Sequence, residues 1–249
     1  MTATLRFLGS GDAFASGGRF QACMLLEGGP APLMVDCGAT SLHAMARAGV
    51  DPGSIGHIVV SHLHGDHFGG IPFLVLHGQF NRREQDLHVA GPVGTGERLV
   101  RAMEVLFPGS ATATRRFATH VTELVPGEPA PFGPAVIRAV EADHASGAPS
   151  LALRIDYAGR SLAYSGDTAW TDALTDVTTG ADLFVCEGYV RERRVPFHLA
   201  FETVRENLPR LGCARLVVTH MNTEMLAFAA ETAPIPGITF AHDGLILDL

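Results

Sequence analysis

With 249 residues, a formal charge of −8 and 47% hydrophobic residues, the chain is large enough for a sizeable core and too apolar for intrinsic disorder. The acidic balance argues against a general nucleic-acid binder, which needs a basic surface. No apolar run reaches the ~18 residues of a membrane span, and no basic region leads into a long apolar one at the start, so the expected location is the cytoplasm.

In chain order, strand patterns fall at 4–8, 20–26, 33–35, 57–60 and 86–90, and again at 134–140, 150–157, 161–165, 182–186, 215–219 and 244–248. Helical patterns fall between them at 40–49, 68–78, 95–106, 199–209 and 223–231. Strands followed by helices, twice over, predict two similar halves, each a sheet covered on its outer side by helices. No low-complexity linker separates them, so residues 1–249 are expected to form one domain of α/β (α+β) type. PGSATATRRF (108–117) and GEPAPFGP (127–134) read as surface turns. Cys23, Cys37, Cys186 and Cys213 contain no CxxC pair and read as buried thiols.

After the strand-like IVV comes HLHGDH, residues 62–67. Three imidazoles and a carboxylate in six residues suit a divalent metal, because neutral imidazole and carboxylate bind zinc and its relatives at about 2.0–2.2 Å. Six residues cannot close two sites. His144, Asp167 and His220 each follow an apolar strand and supply the missing ligands. The pair Gly69-Gly70 is expected to permit a tight start to the next helix.

The HLHGDH motif, a later lone histidine, an SGD aspartate and a TH histidine together resemble the metallo-β-lactamase superfamily, as do FLGSGDAF (7–14) and MVDCGA (34–39). The resemblance implies a four-layer αββα sandwich. It implies that His62, His64 and His144 hold one ion, that Asp66, His67 and His220 hold the other, and that Asp167 bridges them, with Asp66 also counted in the catalytic machinery. Asp36 resembles the buried carboxylate that braces the ligand loop, whereas Cys37 beside it reads as core. The ligand types suit Zn²⁺, with Mn²⁺ or Fe²⁺ alternatives in the more carboxylate-rich half.

Two such ions sharing a hydroxide can attack phosphorus or carbon. Glu187 and His198, in CEGYVRERRVPFHLA, favour phosphorus: a histidine held by a carboxylate can protonate an alkoxide leaving group. That stretch and VAGPVGTGERL (89–99) resemble the tRNA 3'-processing endonucleases (ribonuclease Z-like). Only a short hairpin-like segment separates His144 from Asp167, where those enzymes carry a long tRNA-binding arm, so no tRNA is expected. The expected substrate is a small phosphodiester of the cyclic nucleotide or cyclic ribose phosphate type. The alternatives are a two-metal lactonase or other acyl hydrolase, favoured if His198 lies far from the ligands, and a non-catalytic metal-binding sensor. NRRE (81–84) and RERR (191–194) are either solvated loops or phosphate-binding arginines. HGQF (77–80) is a candidate pocket loop, and Asn222 either lines the pocket or caps a helix. The resemblance also favours a homodimer, and the lack of a long apolar stretch predicts no membrane partner.

Overall fold

The computed structural model describes residues 2–249. The first part of the chain runs β1 (Thr4–Gly9), β2 (Cys23–Glu27), β3 (Leu33–Val35), α1 (Ser41–Ala48), β4 (His57–Val59), α2 (Gly65–Phe68), α3 (Ile71–Phe80), β5 (Leu87–Gly91), α4 (Thr95–Leu106) and β6 (Thr119–Glu123). The second part runs β7 (Ala130–Phe132), β8 (Ala135–Ala142), β9 (Ser150–Tyr157), β10 (Arg160–Tyr164), α5 (Leu174–Thr178), β11 (Leu183–Glu187), α6 (Phe201–Leu211), β12 (Leu216–Thr219), α7 (Thr223–Glu231), β13 (Ile238–Phe240) and β14 (Ile246–Asp248). Two seven-stranded sheets result, ordered β14-β1-β2-β3-β4-β5-β6 and β13-β12-β11-β10-β9-β8-β7.

Strand alternation builds the layers. In β9, Leu151, Leu153, Ile155 and Tyr157 face the other sheet and meet Leu5, Phe7, Leu26, Leu33 and Val59 in the central core. Ala152 of the same strand joins the outer core with Phe184, Cys186 and Val218, under Leu174, Phe201, Val204 and Met225 of α5, α6 and α7. On the other outer face Ile58 and Val89 pack beneath Met45, Leu74, Leu99 and Met103 of α1, α3 and α4. Because both faces of each sheet are covered, nearly every central-strand residue is buried, and each large apolar side chain contributes about 1.5–3 kcal/mol. This is the αββα sandwich that the resemblance implies.

The last strand departs from the two-halves picture. β14 returns to the first sheet and pairs antiparallel with β1, Leu5 facing Leu247. The strands absent from the sequence reading, β6, β7 and β13, all lie at sheet edges. β7 sits within the expected turn 127–134. An edge strand has one pairing partner and an exposed side, so its apolar alternation is weak. The short α5 was also missed; its LTDVT is rich in β-branched residues that form helices poorly.

Three local expectations are corrected. HGQF is the last turn of α3, not a loop over a pocket. Arg83 of NRRE is buried, donating to the carbonyls of Ile55, Gln85 and Asp86, which ties it to the fold. Gly69 and Gly70 lie at helical angles, so their role is close approach: a Cβ on Gly70 would lie 2.3 Å from the Gly38 carbonyl oxygen.

Candidate metal centre

The loops after β4, β8, β10, β11 and β12 converge at one rim of the sandwich, where the regular ladders end and side chains can turn inward. HLHGDH follows β4 and runs into α2, His144 follows β8, Asp167 follows β10, and His220 follows β12. Gly166 lets Asp167 approach the hexapeptide: φ is +55°, and a Cβ there would lie 2.9 Å from that of Ser61.

Two groups of side chains could each hold an ion: His62, His64 and His144, and Asp66, His67, Asp167 and His220. The two oxygens of Asp167 divide between them. Oδ1 lies 3.2 Å from His67 Nε2 and 3.5 Å from His220 Nε2, whereas Oδ2 lies 3.9 Å from His62 Nε2 and 4.0 Å from His144 Nε2. Asp66 Oδ2 stands 3.1 Å from His220 Nε2 and 3.4 Å from His67 Nε2.

The surrounding hydrogen bonds orient these rings. His67 Nδ1 donates to Asp36 Oδ2 at 2.7 Å. Ser61 Oγ donates to that same oxygen at 2.9 Å, so it accepts from His62 Nδ1 at 3.1 Å. His144 Nδ1 donates to the Phe197 carbonyl at 2.9 Å. All three rings therefore turn a bare Nε2 toward the cluster, the arrangement that outer hydrogen bonds impose on metal-binding histidines.

The donor set passes the test for a cation. His62 Nε2, Asp167 Oδ1 and His220 Nδ1 are buried without a hydrogen-bond partner, a costly state for polar atoms. Nitrogens also face each other, His64 Nδ1 with His144 Nε2 at 3.0 Å and His67 Nε2 with His220 Nε2 at 3.3 Å. Two ligands at zinc distance in a tetrahedron stand about 3.3–3.6 Å apart, so the spacings suit shared ions.

Electrostatics agree. Burial alone would lower His67, yet Asp167, Asp66 and Asp36 hold it well above the ordinary imidazole range. Burial alone would raise Asp167, yet His220 and His67 hold it well below the usual carboxylate range. The pocket favours positive charge, whether proton or metal.

Asp36 is buried and braces the ligand loop as expected of it. It takes Ser61 N at 2.7 Å and, from the opposite sheet, Tyr164 Oη at 2.7 Å. Its φ of +57° is a left-handed conformation that aspartate tolerates better than most residues. Tyr164 was missed by sequence reasoning, although it stands just before SGD. Ser61, directly before HLHGDH, was missed as well. Cys37 lies in the outer core under α1 and α3, where burial raises its thiol far above reactive values.

Glu187 and His198 come together at the same rim. Oε1 of Glu187 meets His198 Nδ1 in a short contact, and Oε2 accepts from Thr168 N at 3.1 Å and Leu199 N at 3.0 Å. His198 Nδ1 is 4.0 Å from Asp167 Oδ2, and its ring centre is 5.0 Å from that of His144. His198 thus stands beside the clusters. His144, Asp167 and His198 form a third, overlapping set of possible ligands, but Nδ1 of His198 is already engaged by Glu187. Asn222 caps α7, accepting from Met225 N at 2.8 Å. In RERR, Arg191 packs over Phe228 and Arg193 pairs with Glu224.

The family model for anti-Pycsar protein Apyc1 matches residues 3–243. The chain belongs to the Apyc1 family. An uncharacterized protein of Mycobacterium leprae is 33% identical over an alignment covering 76% of this chain and 67% of its own length. Ribonuclease Z of Methanosarcina acetivorans is 24% identical, covering 88% of this chain and 87% of that protein. The metallo-β-lactamase fold protein YhfI of Bacillus subtilis superposes with a TM-score of 0.79 over 100% of both chains at 19% identity, a likeness of fold. Fold and clusters together give an αββα sandwich whose rim carries two groups of side chains that could each hold an ion. Among the described residues, no helix is long and apolar enough to cross a membrane.

Proposed function

We propose that this Apyc1-family protein is a two-metal phosphodiesterase acting on small cyclic diesters, cyclic nucleotides or cyclic ribose phosphates. On this reading His62, His64 and His144 hold one ion, Asp66, His67 and His220 the other, and Asp167 joins them. The most suitable metal for the histidine-rich set is Zn²⁺, with Mn²⁺ or Fe²⁺ as alternatives. When bound, the ions supply positive charge for the phosphoryl oxygens and lower the pKa of water.

The observation that carries the reading is the Glu187–His198 pair beside Asp167. Burial and then Asp167 push Glu187 well above the usual carboxylate range, whereas burial draws His198 below the ordinary imidazole value. Nδ1 of His198 is engaged by Glu187, so Nε2 is the nitrogen left to donate. In the reaction a water oxygen bonds to phosphorus and the P–O ester bond breaks. The leaving oxygen takes the His198 proton, and the proton lost by the water returns to the Glu187–His198 pair. The acyl-hydrolase alternative calls for a His198 remote from the ligands, whereas its ring centre lies 5.0 Å from that of His144, and a sensor needs no donor.

The antiparallel β9–β10 hairpin occupies the stretch between His144 and Asp167, which supports a small substrate and no tRNA. The chain is read as a single unit that acts alone or as a homodimer. The test is hydrolysis of bis(p-nitrophenyl) phosphate, a cyclic nucleotide, a lactone and a phosphomonoester by metal-loaded protein. Diester turnover that depends on His198, more for the cyclic nucleotide than for the activated diester, is the expected result. Lactone turnover indifferent to His198→Ala, with no diester cleavage, would replace the reading with the acyl hydrolase.

A further inference from the structure

FLGSGDAF (7–14) supplies none of the seven candidate ligands, yet it reaches the last of them. Ser10, buried just past the end of β1, offers its carbonyl to two donors from the opposite sheet: His220 N at 3.1 Å and Thr219 Oγ1 at 3.2 Å. His220 has φ of +57°. That left-handed conformation is open to histidine more than to most residues, and it persists where the surroundings hold it.

His220 differs from its neighbours in how its ring is oriented. His62, His67 and His144 are each fixed through Nδ1, by Ser61, Asp36 and the Phe197 carbonyl. His220 presents Nε2 to Asp66 and Asp167, and among the described residues its Nδ1 has no hydrogen-bond partner; Glu187 Oε1 lies 3.7 Å away. Metal-binding histidines are ordinarily steered by a partner on the second ring nitrogen. Without one, the direction of this ring is set by its main chain and by the groups packed on it.

The hold on that main chain leads to Asp243, in the segment that carries the chain from β13 in the second sheet to β14 in the first. Ala241 N donates to the Val218 carbonyl of β12, and Gly244 N to the Phe7 carbonyl of β1, both at 2.8 Å, so the crossover is stitched to a strand of each sheet. Between the stitches, Asp243 Oδ1 accepts from Ser10 N at 2.9 Å and Ser10 Oγ at 2.8 Å, and Oδ2 accepts from Phe20 N at 2.9 Å. Hydrogen bonds to a carboxylate are stronger than those to a neutral acceptor. Ser10 is thus gripped at its N–H and hydroxyl while its carbonyl grips His220. We infer that Asp243 is a positioning residue of the metal centre, acting through Ser10 to hold His220 in the left-handed conformation that turns its ring toward Asp66 and Asp167. The inference rests on the reading of His220 as a ligand and adds to it a residue that touches no ion. It makes the two ions unequal: among the described residues, the hydrogen bonds of Asp243 and Ser10 reach His220 and none of His62, His64 and His144.

Protein loaded with Co²⁺ is titrated with a chelator, and the visible absorption, which reports ligand geometry, is followed as each ion is withdrawn. Asp243→Asn keeps the size of the side chain and one acceptor oxygen. It should hold one ion as wild type does and the other about 10–100-fold more weakly, the scale for losing an outer partner of a ligating histidine, with an altered spectrum for that ion. Ser10→Ala loses only the hydroxyl bond and should weaken the same ion by less. Arg19→Ala is the control for a loosened crossover: it removes the bond from Arg19 to the Ala241 carbonyl at 2.7 Å and leaves Ser10 gripped. It should hold both ions as wild type does, even where its melting temperature falls as far as that of Asp243→Asn.

Both ions held as in wild type by Asp243→Asn, an equal fall for both, or the same selective fall in Arg19→Ala overturns the inference. His220→Ala keeps this outcome apart from the ligand reading. If it retains both ions, His220 is no ligand, and the positioning role falls with that assignment. If it loses one ion while Asp243→Asn weakens neither, His220 remains a ligand and the role of Asp243 alone falls.

Discussion

Two groups of histidines mark opposite ends of the same region of the first sheet. Past the end of β4, His62, His64 and His67 turn into the rim with Asp66 and, from the second sheet, Asp167. At the start of β4, His57 stacks on His88 of β5 with ring centres 5.1 Å apart, and His88 stacks on His120 of β6 at 4.8 Å. The second group is the more regular, set in register across three parallel strands. It is nevertheless unsuited to a metal. Imidazole lone pairs lie in the ring plane, so stacked rings cannot aim them at one point. The sole carboxylate bonded there, Asp86, is taken by His120 Nε2 at 2.8 Å. Convergence and paired carboxylates, rather than the number of histidines, distinguish the candidate metal centre.

The sharpest way to break this contrast is Asp167→Asn. It should abolish binding of at least one ion and lower diester turnover by about a hundredfold to a thousandfold, the scale on which single electrostatic stabilisers act. Metal analysis of the purified variant and initial rates check both; full metal content with normal turnover would remove Asp167 from the centre. His198→Ala separates the proton donor from the metals. A loss of about a hundredfold or more in kcat on a cyclic nucleotide is expected, with a smaller loss on bis(p-nitrophenyl) phosphate, whose leaving group needs little protonation, and unchanged metal content.

Asp36→Asn probes the brace. Metal affinity should drop by about 10–100-fold, as it does when outer partners of ligating histidines are removed, and competition with a chelator measures it. Tyr164→Phe removes one of the hydrogen bonds to Asp36 and should cost less.

The stacked histidines should yield the smallest effects. His88→Ala is expected to leave metal content and turnover as they are. His57 is lowered from 6.5 first by burial and then by His88. A base whose folded pKa is depressed binds protons more readily when unfolded, so stability is lost as pH falls below about 6.5 toward the folded value. His57→Phe keeps an aromatic ring and removes that charge. Its melting temperature should therefore decline less than wild type's between neutral pH and pH about 5, by differential scanning calorimetry.

Much of the architecture was legible because central strands obey local rules. β9 alternates strictly, and β4, β11 and β12 are short apolar runs followed at once by polar, chemistry-bearing residues. The edges were not legible, since β6 in THVTE and β7 around Pro131 are half-solvated and carry little periodicity. The site divided along similar lines. HLHGDH is dense enough in sequence to announce itself, and Glu187 with His198 could be paired from a likeness of motif. Tyr164 and the Phe197 carbonyl could not, because a phenol and a main-chain oxygen acquire meaning only from what lies opposite them.

Sequence by itself determined the identity and order of the chemistry: which strands end in imidazole or carboxylate, and that two sheets would be covered by helices. Those properties follow from side-chain type and the two-residue period of a strand, both local. Tertiary structure alone decided that Asp167 divides its oxygens between two histidine groups, that Asp36 is gripped from the opposite sheet by Tyr164, and that β14 closes the first sheet. It also decided that one histidine trio converges and the other stacks. These depend on distances between residues far apart in the chain, and only the packing of one sheet on the other sets them.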